Sequence, residues 1–257
     1  MVVLDIFAVM LLMGLVLGFA GTGGSGFIIG ILVAGFAIPV HTALGTSIAA
    51  MAFTTLSGSI SHIKEGNARL RSGLIIGAFG AGGAYAGTFL ARLIAEEQLL
   101  WLTSGMLLLS GLLIWLRTSS VFPKKEFPLE EETVTLAKLR FWCLAIVTGL
   151  VTGSLSGIFG IGSTPFIQLA LLVLFGFPLR QAVGTTMVVI LPIAVFGSIG
   201  FFQAGYLDFT LLIQVVAGTM IGSYIGAKFT RRAPRLLLRS AMIMTPIAGA
   251  LLLLVKL

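Results

Sequence analysis

Apolar segments follow one another along almost the whole chain, and only short polar loops separate most of them. Most segments approach the about 20 residues that a membrane-spanning helix needs, whereas the second and the seventh are too short to cross a bilayer with ease. The pattern predicts an all-α polytopic membrane protein with about eight to ten membrane segments. The ten predicted segments are residues 2–20, 26–38, 41–62, 72–92, 98–116, 140–156, 163–176, 180–202, 208–228 and 236–255.

Composition supports the membrane assignment. Of the 257 residues, 58% are hydrophobic and only 10% are charged, and the mean hydropathy is +1.11. A soluble domain carries about 25% charged residues, so this chain lacks the polar surface that a soluble globule needs. The net charge of +7 comes from loops beside apolar segments, where it orients a membrane protein and does not indicate a nucleic-acid partner. The single cysteine, Cys143, excludes an intrachain disulfide and a multi-cysteine metal site.

An internal repeat divides the chain into two halves. Residues 21–26, Gly-Thr-Gly-Gly-Ser-Gly, match residues 157–162, Gly-Ile-Phe-Gly-Ile-Gly, 136 positions later (157 − 21). Residues 39–47 match residues 178–186 at a separation of 139 (178 − 39), and both stretches contain a proline followed by Gly-Thr. The same separation of 139 relates two Gly-x-Tyr-x-Gly stretches, which we assign to helix packing, at residues 83–87 and 222–226.

The repeat predicts a domain organisation and a topology. Residues 1–116 form a first five-segment repeat, residues 117–139 a cytoplasmic linker, and residues 140–257 a second repeat. Because five is odd, the second repeat enters the membrane from the opposite side. With both termini outside, fourteen of the sixteen Lys and Arg residues fall on the inside, and only Arg92 and Lys256 fall outside. This bias fits the positive-inside rule, and the basic loops alternate between the halves as inverted repeats require.

The glycine-rich breaks suggest an anion site. Irregular backbone at membrane depth is tolerated where it is buried in protein or lines a cavity, and matched breaks in inverted repeats form substrate sites in transporters. A short helix begins after each break, and its free N–H groups favour an anion. Close helix packing is the alternative function of the glycines. The predicted substrate-binding residues are Thr22, Gly23, Gly24, Ser25, Gly26, Thr46, Ser47, Gly160, Gly162, Ser163, Thr164, Thr185 and Thr186, with the Thr/Ser pairs of the third and eighth segments expected to face the same cavity.

Few ionisable residues lie inside the segments. His62 ends the third segment, where it is either a solvated histidine or a gating or proton-linked residue, and Phe201 occupies its place in the second repeat. Arg180 begins the eighth segment and is a second candidate for a gate. No carboxylate lies deep in the membrane, which disfavours a carboxylate-built cation site and is compatible with an anionic substrate.

A family resemblance adds a substrate class. The glycine-rich break in each half, the Pro-x-x-x-Ala-[Leu/Val]-Gly-Thr-[Ser/Thr] stretches at residues 39–47 and 178–186, and the duplicated length resemble the TauE/SafE sulfite exporter family. The resemblance covers essentially the whole chain. It implies a transporter of the prokaryotic cytoplasmic (inner) membrane that exports sulfur-containing anions such as sulfite or organosulfonates. A related group that imports thiosulfate uses membrane cysteines along its pathway, and the single Cys143 makes this chain less similar to that group.

Together these features predict a secondary transporter that works by alternating access around an anion site at the bilayer midplane. An anion channel, or a transporter for another small anion, stays open as the alternative. An intramembrane enzyme is disfavoured because only His41 and His62 are available and no membrane-embedded Asp accompanies them. No nucleotide-binding or cofactor motif is present, so the predicted partners are the anion and the lipid bilayer, and a homodimer stays open.

Overall fold

The computed structural model describes residues 2–20, 25–118, 134–161, 163–230 and 232–254, and these residues are helical apart from short connections. Long apolar runs form helices here because backbone groups in a bilayer must hydrogen-bond within their own segment. The all-α prediction is confirmed. The helices are α1 (Val2–Ala20), α2 (Ser25–Gly30, continued by a π-helical stretch Ile31–Gly35), α3 (Val40–Lys64), α4 (Leu70–Ala91), α5 (Glu96–Thr118), α6 (Val134–Phe159), α7 (Thr164–Val173), α8 (Leu179–Gln203), α9 (Phe209–Thr230) and α10 (Arg235–Leu254).

Seven of the described helices, α3 to α6 and α8 to α10, are long and apolar enough to cross a bilayer. The second and seventh predicted segments are short, as expected: α2 has 6 residues before its π-helical continuation, and α7 has 10. Large apolar side chains such as Leu12, Trp101 and Ile213 are exposed on the outside of the bundle. The protein is therefore a multi-pass membrane protein whose outer surface suits contact with lipid.

Helix ends recur at a single separation of 139 residues. Ala20 and Phe159 end α1 and α6 (159 − 20), and Ser25 and Thr164 begin α2 and α7 (164 − 25). The starts and ends of α3 and α4 agree with those of α8 and α9 in the same way. The first break therefore aligns with the second at 139 residues, three positions from the alignment that the glycines alone suggest.

Helix packing follows this equivalence. α1 packs along α9, and its counterpart α6 packs along α4. Glycines bring each pair close, because a Cβ atom at Gly18 would overlap the backbone of Ser223 and one at Gly157 would overlap the backbone of Ala84. α3 and α8 run antiparallel, since Gly197 lies beside Ile48 and Met187 lies beside Gly58. This antiparallel pairing is compatible with inverted repeats, and the inversion itself stays a prediction.

The two equivalent helices α3 and α8 form the centre of the bundle. Within their most apolar stretches 83% of α3 and 67% of α8 is buried, against 39–50% for the other long helices. Hydroxyl groups of α3 reach α9: Thr54 donates to Thr219 Oγ1 at 2.9 Å, and Ser57 donates to the Met220 carbonyl at 2.7 Å. α3 is thus held to the second half of the chain by hydrogen bonds as well as by packing.

The predicted linker, residues 117–139, falls largely outside the described residues, which stop at Thr118 and resume at Val134. The domain boundaries, the cytoplasmic location of this linker and the outside location of both termini stay predictions.

Candidate functional site

The starts of α2 and α7 meet at a small cavity between the middles of α5 and α10. Its volume is about 20 Å³, enough for one water-sized molecule. Only two threonines contribute polar side chains to a largely apolar lining. The lining residues are Gly26, Phe27, Leu107, Ile161, Thr164, Pro165, Thr245 and Pro246.

The cavity lies where the two halves of the chain come together. Gly26 and Pro165 are equivalent at the separation of 139 residues, and so are Leu107 and Pro246. A Cβ atom at Gly26 would lie 2.9 Å from Leu107 Cδ2 and 3.6 Å from Ile161 Cγ2. The absence of a side chain at Gly26 therefore lets the start of α2 approach the break in the second half.

Several predicted site residues fall outside the described residues: Thr22, Gly23, Gly24 and Gly162, as well as the side chain of Ser25. Gly26 and Thr164 line the cavity. Gly160 has a φ of +65° and its N–H donates to the Ser156 carbonyl at 2.9 Å. A left-handed glycine just after the last helical residue is a common helix terminator, and Gly160 ends α6 in this way.

Ser163 precedes α7 in a strained conformation. Its φ is +45°, which is unusual for a residue other than glycine, and its side chain is completely buried. The Oγ atom makes no cap hydrogen bond, and no atom of the described residues hydrogen-bonds it. Pro165 suits the first turn of α7, because proline has no N–H to leave unpaired there. Ser163 is thus a buried donor that is available to a ligand.

The structure separates the two hydroxyl pairs that were expected to face one cavity. Thr185 lies level with residue 60 of α3, which is fourteen residues (60 − 46) or about 21 Å along the helix from Thr46. Thr185 Oγ1 accepts from the Arg69 N–H at 3.0 Å, and Thr186 donates to the Ala182 carbonyl at 2.7 Å. The Thr46 and Ser47 hydroxyls are buried without a partner among the described residues. The expectation of a shared cavity is corrected, because antiparallel α3 and α8 place the pairs near opposite ends of the bundle.

A close approach between loops and helices explains the glycine in both Gly-Thr stretches. A Cβ atom at Gly45 would overlap the Tyr206 carbonyl oxygen, and one at Gly184 would overlap the Asn67 carbonyl oxygen. Asn67 and Tyr206 are themselves equivalent, and each loop contains a left-handed glycine, Gly66 or Gly205. Each half therefore covers the start of the other half's third helix with one loop.

Three buried side chains cap the end of α1. Nε2 of His62 lies 3.1 Å from the Gly18 carbonyl oxygen, Thr230 Oγ1 donates to the Phe19 carbonyl at 2.9 Å, and Gln168 Nε2 donates to the Ala20 carbonyl at 3.0 Å. The last carbonyls of a helix have no partner within the helix, and away from water they need other donors. The three donors come from α3, α9 and α7, so both halves of the chain hold this helix end.

Gln168 and Thr230 were missed as candidates. An amide within the apolar stretch Phe-Ile-Gln-Leu-Ala-Leu-Leu-Val is a recognisable signal, since polar side chains in membrane helices usually have a specific partner. His62 is completely buried, which rules out a solvated histidine. Arg180 donates to the Ala233 carbonyl at 3.2 Å and lies apart from the cavity lining. Within the described part of the chain, no three His, Cys, Asp or Glu side chains come together as a metal site would require.

The fold and its duplicated, broken helices define a polytopic helical membrane protein of the transporter class. The chain belongs to the TauE/SafE sulfite exporter family, whose family model matches residues 6–253. It is 49% identical over 249 residues to a probable membrane transporter protein, YdhB, of Bacillus subtilis strain 168, covering 96% of this chain and 99% of that protein. It is 29% identical over 223 residues to a probable membrane transporter protein of Xylella fastidiosa strain 9a5c, covering 86% and 82%. No solved structure matches the chain.

Proposed function

We propose that this protein is a secondary transporter that exports small sulfur-containing anions, such as sulfite or organosulfonates, by alternating access. The observation that carries the proposal is the meeting of the α2 and α7 starts at a cavity between the two halves. Helix starts present free N–H groups and a partial positive charge, and both attract an anion. The family name supplies the sulfur-containing substrate class.

The chemistry around the cavity favours an anion of modest size. Ser163 provides a buried hydroxyl, and Thr164 contributes to the lining. No Asp or Glu contributes to the lining, so the site contains no carboxylate that would repel an anion. The cavity of about 20 Å³ is smaller than such an anion, which fits a state in which the halves have closed around an empty site.

Export requires no nucleotide in this scheme. At an inside-negative potential an anion is driven outward by about 2.3 kcal/mol per charge per 100 mV. The substrate gradient adds to this force. Movement of one half against the other would open the cavity first to one side and then to the other, which is the usual behaviour of repeat-based transporters.

Anion flux in liposomes containing the purified protein tests the proposal. Sulfite, sulfoacetate, a taurine-like sulfonate, sulfate and chloride are compared at equal concentration. We expect saturable flux of sulfur oxyanions that exceeds chloride flux. Flux that does not saturate would indicate the alternative, an anion channel, and a preference for chloride would refute the substrate class.

Substitutions at the breaks test the site. We expect the double variant Thr22→Ala/Ser163→Ala to raise the half-saturating concentration at least fivefold while the protein still folds. Ser198→Ala is the matched control, because the Ser198 hydroxyl only donates to the Val195 carbonyl of its own helix, at 2.8 Å. Equal affinities of the double variant and the wild type would place the site elsewhere.

A further inference from the structure

We propose that His62 binds a proton that moves through the membrane together with the substrate anion. This inference rests on the proposed transport function and adds a coupling ion to it. The supporting evidence is the hydrogen bonding of the imidazole ring, the helix end that the ring contacts, and the connection of that helix end to the cavity.

The two ring nitrogens of His62 are in different environments. Nε2 lies 3.1 Å from the Gly18 carbonyl oxygen, so it carries the hydrogen and donates. Nδ1 then has a lone pair in the neutral ring, and no atom of the described residues hydrogen-bonds it although it is buried. A proton that binds at Nδ1 converts the ring into a cation without disturbing the bond to Gly18.

The surroundings suit a cation at this position. The carboxyl end of a helix carries a partial negative charge, and His62 sits directly on the carboxyl end of α1. The charged or titratable groups nearest this end of the bundle are Lys64 and Glu65 next to His62 on the chain, Tyr224 and Lys228 on α9, and Arg69 in the following loop. The described side chains of α1 and α7 include none. Glu65 therefore provides a single carboxylate, and the helix end supplies the rest of the negative potential.

The helix end connects His62 to the cavity. Gln168 donates to the Ala20 carbonyl, two residues beyond the carbonyl that His62 contacts. Thr164, which lines the cavity, lies one turn before Gln168 on α7, about 6 Å along the helix. A positive charge on His62 would thus be close enough to favour an anion at the cavity, and a bound anion would favour the proton in return.

Coupled movement has a measurable consequence. A singly charged anion that moves with one proton transfers no net charge, so the membrane potential no longer drives it. Net direction is then set by the sum of the anion and proton gradients. The second half has Phe201 in place of His62, so the proton site belongs to one end of the pathway only.

The experiment uses proteoliposomes loaded with methanesulfonate, whose charge does not change between pH 6 and pH 8 on the order of assay conditions. Anion efflux and internal pH are recorded together, with and without a potassium diffusion potential. For the wild type we expect about one proton per anion and an efflux rate that the potential does not change. For His62→Gln, whose amide can still donate to Gly18, we expect the proton ratio to fall to near zero while efflux becomes sensitive to the potential.

His41→Gln is the matched control. His41 is the other histidine, and its nitrogens lie 3.3 Å from Glu96 Oε1 and 3.3 Å from the Ala91 carbonyl oxygen at the opposite end of α3. This variant should keep the wild-type proton ratio. Wild-type efflux without proton movement would overturn the proton inference and leave the transport proposal standing, whereas no flux of any sulfur oxyanion would overturn both. The wild-type measurement decides the matter even if His62→Gln does not fold.

Discussion

Adjacent glycines in α4 provide a sharp test of how the bundle is packed. Gly83 faces α6, and a Cβ atom there would lie 2.5 Å from the Leu150 carbonyl oxygen and 2.9 Å from the Ser154 amide nitrogen. Gly82, one residue earlier, has no atom within 4 Å of the corresponding position. The same substitution by alanine at the two sites therefore differs only in contact with the neighbouring helix.

The expected difference follows from these distances. Alanine gains about 1 kcal/mol over glycine in a helix, and this gain is common to both variants. At Gly83 the methyl group must also retreat by about 0.9 Å (3.4 − 2.5) to reach an ordinary contact with backbone that cannot rotate away. Overpacking of this kind costs about 1–3 kcal/mol. Gly83→Ala should therefore be about 1–3 kcal/mol less stable than Gly82→Ala.

Thermal unfolding in detergent measures this difference. In a chain of this size 1 kcal/mol corresponds to about 2–4 °C in the melting temperature. We expect Gly82→Ala to melt at or slightly above the wild type and Gly83→Ala to melt clearly below Gly82→Ala. Equal melting temperatures for the two variants would refute the close α4–α6 contact.

Two further predictions concern local structure. Gln168→Leu should destabilise the protein by about 1–3 kcal/mol, because the Ala20 carbonyl loses its donor in a buried place; an unchanged melting temperature would contradict this role of the amide. Ala37, whose φ is +54°, is equivalent to Gly176, whose φ is +63°. Ala37→Gly should therefore stabilise the protein by up to about 1 kcal/mol and Gly176→Ala should destabilise it by a similar amount, and melting shifts of the same sign in both variants would contradict the strain argument.

Much of the fold could be predicted from the sequence because hydrophobic length alone defines membrane segments. The two short segments were recognisable, since α2 and α7 are flanked by glycine-rich breaks. The alignment of the first break was displaced by three residues, because glycines match one another by chance in a chain with 33 of them. Helix ends, which depend on three-dimensional contacts, were needed to bring Gly21 opposite Gly160.

The candidate site was less accessible from the sequence. The Gly-Thr stretches were assigned to one cavity because their sequences match, but equivalent positions on antiparallel helices lie far apart unless they are near the helix middle. The glycines at 45 and 184 also have a packing reason that requires the loop of the other half. Gln168 and Thr230 were missed because their importance depends on where α1 ends.

The ends of α1 and α6 show how the two halves differ. α6 is terminated by its own left-handed residue, Gly160, whereas α1 depends on donors from α3, α7 and α9. The counterparts of these three donors, Phe201, Ile29 and Ala91, carry no side-chain donor. In the proposed alternating-access cycle, any movement that separates α1 from these helices breaks up to three hydrogen bonds, each contributing about 1 kcal/mol. The end of the pathway next to His62 is therefore the end at which opening is most directly linked to the hydrogen bonding, and so to the protonation, of a buried side chain.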